Sequence, residues 1–100
     1  INKHKLEIYD ERNNLCDSFL IAIDKYDNIY LANENDSTVY VYKNYEGELI
    51  QKNKIDDFCD IYSILCVEDN LFVLACDNLS IYKISQTNEP MELLTIVEFS

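Results

Sequence analysis

Acidic and amide side chains cluster in a turn between two apolar runs, where they are candidate ligands for a metal ion. Asp24, Asp27 and Asn28 lie close together, and Asp36 follows in the next turn. Ca²⁺ takes about six to eight oxygen ligands, and its dedicated loops follow a D-x-D-x-D-G pattern that this sequence lacks. Because Asp and Asn also stabilise tight turns, we predict that these side chains shape hairpins and that no metal or other cofactor is bound.

Pairs of residues suited to nucleophilic or acid–base catalysis are scarce. His4 is the only histidine, and a histidine so near the terminus is a poor general base for a cysteine nucleophile. The candidate innermost strands are 19–23 (FLIAI) and 62–67 (YSILCV). They are apolar apart from Ser63, so they offer few side chains that could bind a metal or transfer a proton. We therefore predict a protein that is not an enzyme.

The four cysteines, Cys16, Cys59, Cys66 and Cys76, contain no C-x-x-C pair, which argues against structural zinc. Cys66 and Cys76 fall within apolar runs, where a free cysteine behaves as a small hydrophobic residue. The chain opens with the polar segment INKHKLEIYD rather than with a secretory signal. We predict that all four cysteines are reduced and that the protein is intracellular, either cytoplasmic or nuclear.

The chain of 100 residues is strongly acidic, with 19 acidic and 8 basic side chains and a net charge of −11. A field of this sign repels phosphate backbones and anionic lipids, and no apolar run approaches the roughly 20 residues that span a bilayer. Direct binding to nucleic acid or to a membrane is therefore not expected. An acidic surface of this kind can serve solubility alone. If it binds a partner, the expected partner is another protein subunit with a basic surface.

Short apolar or alternating runs separated by clusters of Asp and Asn predict an all-β chain, since apolar residues rarely recur at helical spacing. The continuous apolar run 19–23 predicts a strand that is covered on both faces. Strands are predicted at 5–10, 19–23, 29–32, 38–43, 48–51, 62–67, 71–75, 79–84 and 91–99, with a charged linker at 52–60.

Two stretches of the chain align with each other. The matches are 20–24 with 64–68 at an offset of 44, 27–30 with 69–72 at 42, and 39–43 with 79–83 at 40. Each turn is thus predicted to be two residues shorter in the second copy, and an even change keeps the same side chains facing the core. The predicted division is an N-terminal strand and loop at 1–18, a first unit at 19–60 and a second unit at 61–100.

A period of about 40 residues with four strands in each unit is typical of a β-propeller blade. The stretch IAIDKYDNIYLANENDSTVYVYK resembles an NHL-type blade, in which an apolar strand runs into a D-x-x-x-N turn. The second copy resembles the degenerate blades of WD40-like propellers. The residues that carry the NHL resemblance are Asp24, Asn28, Ile29, Tyr30, Ala32, Val39 and Val41.

The resemblance implies antiparallel four-stranded blades of a β-propeller. The propeller would be partial or fragmentary, because a closed ring needs at least about four blades and this chain has two. The chain, which starts with Ile1, is therefore expected to be a segment of a longer propeller or to complete a ring with other chains. A self-standing β-sandwich of short strands is the alternative. The function that follows is a non-catalytic scaffold for protein–protein interactions in an intracellular assembly. The alternatives are a propeller-type metal-dependent hydrolase or metal-binding module, and an RNA-binding NHL-type propeller.

Two groups of residues are candidates for contact with a partner. Tyrosine gives a large contact area at a small entropic cost, which favours Tyr40, Tyr42 and Tyr45. Alternation places the first two on the face opposite Val39 and Val41, where burial against a neighbouring blade is the competing explanation. The second group is an acidic–aromatic segment that could dock a basic partner or could simply be a solvated loop. Its residues are Asp56, Asp57, Phe58 and Asp60.

Overall fold

The computed structural model describes residue 12 and the ranges 19–33, 37–87 and 89–99. The predicted strand at 5–10 and the residues His4, Cys16 and Asp36 lie outside these described residues. Among the described residues, no helix has the length and apolar character that crossing a membrane requires. The strands are β1 (Phe19–Ile23), β2 (Asn28–Asn33), β3 (Val39–Tyr45), β4 (Glu48–Ile55), β5 (Ile61–Val67), β6 (Asn70–Ala75), β7 (Asn78–Lys83) and β8 (Glu92–Glu98).

The strands form two four-stranded antiparallel sheets. Sheet 1 has the order β1-β2-β3-β4, and sheet 2 has the order β5-β6-β7-β8. Each sheet is an up-and-down meander in which consecutive strands pair. The connections have two to five residues, as expected for hairpins, except that between β7 and β8, which spans residues 84–91. The prediction of an all-β chain made of antiparallel four-stranded sheets is confirmed.

β4 is the strand whose extent differs most from the prediction. It continues to Ile55, where the sequence predicted a strand at 48–51 and a charged linker at 52–60. Pairing with β3 as far as Val39 satisfies the backbone groups of these residues, so their charged side chains do not end the strand. The connection between the sheets is therefore confined to residues 56–60.

The two sheets share a β-bulge at the same position. In β4 the extra residue is Lys52, opposite the step that follows Val41 in β3. In β8 the extra residue is Leu94, opposite the step that follows Ile81 in β7. Bulges bend and twist a strand locally, so their shared position gives the two sheets the same shape.

A hydrogen bond beyond the last strand of each sheet is also repeated. The N–H group of Phe58 donates to the carbonyl oxygen of Ser37 at 3.0 Å. The N–H group of Phe99 donates to the carbonyl oxygen of Asp77 at 3.0 Å. Ser37 and Asp77 are counterparts at the offset of 40 that relates β3 to β7, so Phe58 and Phe99 donate to equivalent carbonyl groups.

The register of the first hairpin corrects the predicted alignment. Ile23 pairs with Ile29 in sheet 1, and Cys66 pairs with Leu71 in sheet 2. Since Leu71 follows Ile29 at an offset of 42, Cys66 is the counterpart of Ile23 at an offset of 43, and the predicted offset of 44 is wrong. The first turn shortens by one residue and not by two, so the offset of 44 assigned every side chain of β5 to the wrong face of its sheet.

The two sheets pack through unlike faces. We call A the face that carries Tyr30 and Val41 in sheet 1 and their counterparts Phe72 and Ile81 in sheet 2, and B the opposite face of each sheet. The core forms between the A face of sheet 1 and the B face of sheet 2, and the strands that approach most closely are β1 and β2 against β5. The A face contributes Leu20, Ala22, Tyr30, Ala32, Val39, Val41 and Ile55, and the B face contributes Ile64, Cys66, Leu71, Val73 and Tyr82.

β1 is not covered on both faces, although its continuous apolar run predicted that it would be. Leu20 and Ala22 pack in the core, whereas Phe19, Ile21 and Ile23 on the B face are exposed. The exposed fractions of Ile21 and Ile23 are 55% and 59%. Continuous apolar runs belong to strands that lie between two layers, and the described residues supply a layer on one side only.

Cys59 and Cys76 form a disulfide, with their Cα atoms 5.7 Å apart. The prediction of four reduced cysteines is therefore wrong for this pair, whereas Cys66 is a half-buried free thiol. The pairing of Ile61 with Ala75 brings the two cysteines together, because each lies just outside that pair. Disulfides are typical of oxidising compartments, so the cysteines no longer support the predicted intracellular location, which stays a prediction.

Reduction of this disulfide is expected to lower the free energy of unfolding by about 3 kcal/mol, because the bond joins residues 17 positions apart. Urea unfolding followed by tyrosine fluorescence, with and without dithiothreitol, measures the difference. The double variant Cys59→Ser/Cys76→Ser is the control, and its midpoint should not respond to the reductant. An oxidised wild-type protein with the same midpoint in both conditions would contradict the expectation.

Candidate functional site

Asp24 holds the turn between β1 and β2 by accepting four hydrogen bonds. Its Oδ1 accepts from the backbone N–H groups of Tyr26 at 2.8 Å and Asn28 at 2.9 Å. Its Oδ2 accepts from Asn28 Nδ2 and from the Tyr30 hydroxyl, both at 2.8 Å. Asp24 is buried, so these donors replace the water that its carboxylate loses. Asp27 completes the turn at a φ of 65°, in the left-handed region that Asp tolerates.

The first turn is also tied to sheet 2. The Tyr30 hydroxyl lies 3.8 Å from Met91 Sδ, which precedes β8. Lys52, the bulged residue of β4, donates from Nζ to Asn28 Oδ1 at 3.5 Å and to the carbonyl oxygen of Ser85 at 3.0 Å. The bulge therefore directs a cation into the space between the sheets, where it meets two oxygen acceptors.

Burial and neighbouring charges shift the pKa values of this network. The pKa of Tyr30 is raised above its ordinary value, first because burial disfavours the phenolate and then because its hydroxyl donates to Asp24. The pKa of Lys52 is lowered, first by burial and then by repulsion from Lys43. Burial raises the pKa of Cys66 to about 12, so this thiol stays protonated at neutral pH and is a poor nucleophile.

The candidate metal ligands Asp24 and Asn28 are bonded to each other, and Asp36 lies outside the described residues. Both carboxylate oxygens of Asp24 already accept hydrogen bonds from the protein. Over the ranges described, the group of three potential ligands that lie within 4.8 Å of one another is Cys59, Cys76 and Asp77, and a disulfide joins its two sulfurs. Asp24 and Asn28 therefore shape the hairpin, which is the role that their positions in the sequence predicted.

An exposed cluster joins the first turns of the two sheets. The Tyr26 hydroxyl donates to Asp69 Oδ1 at 2.5 Å, and Lys25 Nζ lies 3.2 Å from the same oxygen and 3.8 Å from Glu68 Oε2. The hydrogen bond from Tyr26, followed by that from Lys25, lowers the pKa of Asp69. Exposed pairs of this kind contribute little to stability, so the cluster orients the two turns more than it holds the sheets together.

The acidic loop, residues 56–60, follows β4. Thr38 Oγ1 donates to Asp56 Oδ1 at 2.8 Å, and Lys54 Nζ lies 3.5 Å from Asp56 Oδ2. Asp57 and Asp60 are exposed, and Asp57 has a φ of 72°. Asp56 is thus engaged within the chain, and the loop presents its other two carboxylates to solvent.

Phe58 does not share the exposure of its acidic neighbours. Its side chain is 9% exposed, and its ring meets Tyr82 edge-on with the ring centroids 6.2 Å apart. The ring fills the space between the sheets because the loop crosses from one sheet to the other at this point. The structure therefore does not bring Phe58 to the surface with the aspartates, and the predicted acidic–aromatic surface consists of carboxylates alone.

The three candidate tyrosines lie on different surfaces. Tyr40 and Tyr42 are half-buried on the B face of sheet 1, opposite Val39 and Val41 as alternation predicted. Burial raises the pKa of Tyr42. Tyr45 is exposed near the turn between β3 and β4, and the alternation of β3 places it on the opposite side of the sheet.

Tyr45 also lines a cavity of about 110 Å³ beside that turn. The other lining residues are Lys43, Ile50, Gln51 and Lys52. Sites for small molecules usually enclose about 300–1,000 Å³, so a cavity of this size offers room for a few waters and no more.

Sequence reasoning missed the apolar surface that the A face of sheet 2 presents. Leu65, Val67 and Val97 on this face are exposed, and Leu65 has an exposed fraction of 57%. The repeat carried a signal for it, because the residues equivalent to this face in sheet 1 are buried in the core. The offset of 44 hid that signal by assigning β5 to the wrong face.

Comparison of the chain with protein-family profiles, with curated proteins and with solved structures found no match. Its function is therefore inferred from the geometry and chemistry of its own residues.

Asp24→Asn is expected to lower the free energy of unfolding by about 2–3 kcal/mol, because an amide cannot accept all four hydrogen bonds of the buried carboxylate. Chemical denaturation at neutral pH measures the loss. Asp27→Asn is the matched control, since Asn also tolerates a positive φ and the Asp27 side chain is exposed. Equal stabilities for the two variants would show that the Asp24 network is dispensable.

Proposed function

We propose that this chain is a two-blade segment of a β-propeller and that it acts as a non-catalytic scaffold for protein–protein interactions. The observation that carries the proposal is the packing of the A face of one four-stranded meander on the B face of the next. Stacking of unlike faces can continue from sheet to sheet, which is how propeller blades are arranged around a channel.

The manner in which the sheets meet favours a propeller over a sandwich. In a sandwich, two sheets face each other across their whole width. Here the closest strands are β1 and β2 of sheet 1 against β5. β3 and β4 reach the opposite sheet through side chains alone, and β8 contributes none of its residues to the core. Sheets that are closest at their first strands and diverge towards their last strands have the wedge shape of neighbouring blades.

The scaffold role is supported by the way in which the buried polar groups are used. Asp24, Asn28 and Thr38 lie among the buried residues, and each bonds to another group of the chain. Across the described residues, each buried side-chain nitrogen or oxygen has a hydrogen-bond partner. Groups committed to one another in this way stabilise a shape and present no acid or base to a substrate.

The partner that this surface favours is a basic protein. The net charge of −11 attracts cationic surfaces over the range of a Debye length. Within the acidic loop, Asp57 and Asp60 are exposed and have no ion pair in the described part of the chain. We therefore place the docking site for a basic partner at this loop.

Asp57→Asn/Asp60→Asn is expected to weaken the binding of a fluorescent octalysine peptide about fivefold, since each exposed ion pair contributes roughly 0.5 kcal/mol. Fluorescence anisotropy at low ionic strength measures the affinity. Asn at position 57 keeps the positive φ accessible, so the loop conformation should persist.

Glu48→Gln/Glu98→Gln is the matched control, because it removes the same charge from exposed residues of the strands. This control should keep the wild-type affinity within about twofold, in line with screening of distant charges. An equal loss of affinity in both variants would mean that the peptide responds to the net charge of the protein and does not bind at the acidic loop. The absence of binding by the wild-type protein would remove the basic partner altogether.

A further inference from the structure

Two lysines meet at the small cavity beside the turn between β3 and β4. The cavity encloses about 110 Å³, and its lining residues are Lys43, Lys52, Tyr45, Gln51 and Ile50. Both lysines are half-buried. In the described part of the chain, neither lies within ion-pair distance of a carboxylate. A chain with a net charge of −11 thus holds two neighbouring cations without a paired anion.

The strand register brings the two lysines to the same side of sheet 1. Lys43 pairs with Asn28 and with Ile50, which places it on the A face. Lys52 is the extra residue of the bulge in β4, and its Nζ atom reaches Asn28 on the same side. The pairing of β3 with β4 and the bulge therefore hold both ammonium groups at one place.

Each ammonium group is anchored by oxygen acceptors and keeps a donor for another group. Lys43 Nζ donates to the carbonyl oxygen of Tyr26. Lys52 Nζ donates to the carbonyl oxygen of Ser85 at 3.0 Å and to Asn28 Oδ1 at 3.5 Å. Because an ammonium group has three N–H donors, each lysine retains at least one for a further acceptor.

Repulsion between the two lysines disfavours their charged forms. The pKa of Lys52 is lowered first by burial and then by repulsion from Lys43, and the buried carboxylate of Asp24 offsets this only in part. Both oxygens of Asp24 accept hydrogen bonds from other groups. An anion between the lysines would replace their repulsion with attraction on both sides.

The equivalent place in sheet 2 has the carboxylate that sheet 1 lacks. Lys83 is the counterpart of Lys43 at the offset of 40. It pairs with Glu92, and the two side chains line one cavity. Lys43 pairs with Ile50 instead, and the bulged residue of sheet 2 is the uncharged Leu94. Sheet 2 therefore balances one cation with one anion, whereas sheet 1 places two cations beside an isoleucine.

The volume of the cavity limits the anion to a small one. Liquid water takes about 30 Å³ per molecule, so the cavity corresponds to roughly three or four waters. One tetrahedral oxyanion occupies a comparable volume. Tyr45 and Ile50 are 55% and 45% exposed, so the cavity opens to solvent and an anion can enter it.

We propose that this cavity binds one phosphate-type oxyanion between Lys43 and Lys52, either free phosphate or the phosphate group of a larger molecule. The ammonium groups supply charge-assisted hydrogen bonds, and the Tyr45 hydroxyl and the Gln51 amide are further donors in the lining. The net charge repels anions at long range, but salt at about 0.1 M screens that repulsion beyond about 10 Å. Two charge-assisted hydrogen bonds correspond to a dissociation constant on the order of 1 mM.

The test is titration of the full chain with sodium phosphate, followed by the amide chemical shifts of residues 50 and 51. Sodium chloride at matched ionic strength is the reference. The wild-type protein is expected to show saturable shifts in phosphate and none in chloride. Shifts that fail to saturate at about fifty times the expected dissociation constant, or that chloride reproduces, would overturn the proposal.

A second probe, acetyl-phosphoserine amide, distinguishes the two sources of the phosphate. Binding tighter than that of inorganic phosphate would support the site and assign it to the phosphate group of a larger molecule. Weaker binding would support the site and assign it to free phosphate. Acetyl-serine amide is the blank, and equal shifts with this neutral compound would exclude recognition of an oxyanion.

Ile50→Glu is the decisive variant, because it gives sheet 1 the carboxylate that Glu92 supplies to sheet 2. It should weaken phosphate binding about tenfold or more, since the new carboxylate both pairs with the lysines and repels the anion. Ile50→Gln is the matched control and should keep the wild-type affinity within about twofold. Ile50 is exposed, so both variants should keep the fold, which circular dichroism verifies. Equal affinities for the two variants would contradict the proposal.

Lys43→Met removes one of the two cations and keeps the apolar part of the side chain. It should weaken phosphate binding about tenfold, in line with the loss of one charge-assisted hydrogen bond. Lys54→Met is the matched control, since Lys54 also lies on β4 but its Nζ atom is 3.5 Å from Asp56 Oδ2. It should change the affinity by no more than about twofold. An equal loss in both lysine variants would show that phosphate responds to net charge and has no site between Lys43 and Lys52.

Discussion

The packing of the A face of sheet 1 on the B face of sheet 2 is the contact on which the rest of the described structure depends. Each meander buries one apolar face in it, and the strands contribute through a side-chain period of two. A shift of one residue in any strand would exchange its buried and exposed sides. The hairpin registers therefore decide which side chains of each sheet face the contact.

Polar groups support the same contact. The buried carboxylate of Asp24 fixes the first turn, and Tyr30 and Lys52 extend its network towards sheet 2. The bulge in β4 supplies Lys52 to this network, whereas the equivalent bulge in β8 places Leu94 in solvent. A feature that is repeated in the backbone thus has different chemistry in the two sheets, because a second sheet covers only one of them.

Several elements follow from local sequence. β1 was predicted with its observed bounds, and the turns at Asp24 and Asn28 form as their side chains dictate. The bulges and the full length of β4 could not be predicted from local sequence. β4 ends where its pairing with β3 ends, although its charged residues have a low propensity for strands. The Cys59–Cys76 disulfide escaped prediction because the two residues approach only when β5 pairs with β6.

By itself, the sequence determined an all-β chain with a repeated four-stranded unit, because alternation and turn chemistry act over a few residues. It also determined an acidic surface. Which side of each strand is buried was decided only by tertiary structure, since that depends on hairpin register and on the sheet that lies opposite. The same reason separates Phe58 from Phe99, two residues with equivalent backbone settings of which one is covered and the other is exposed.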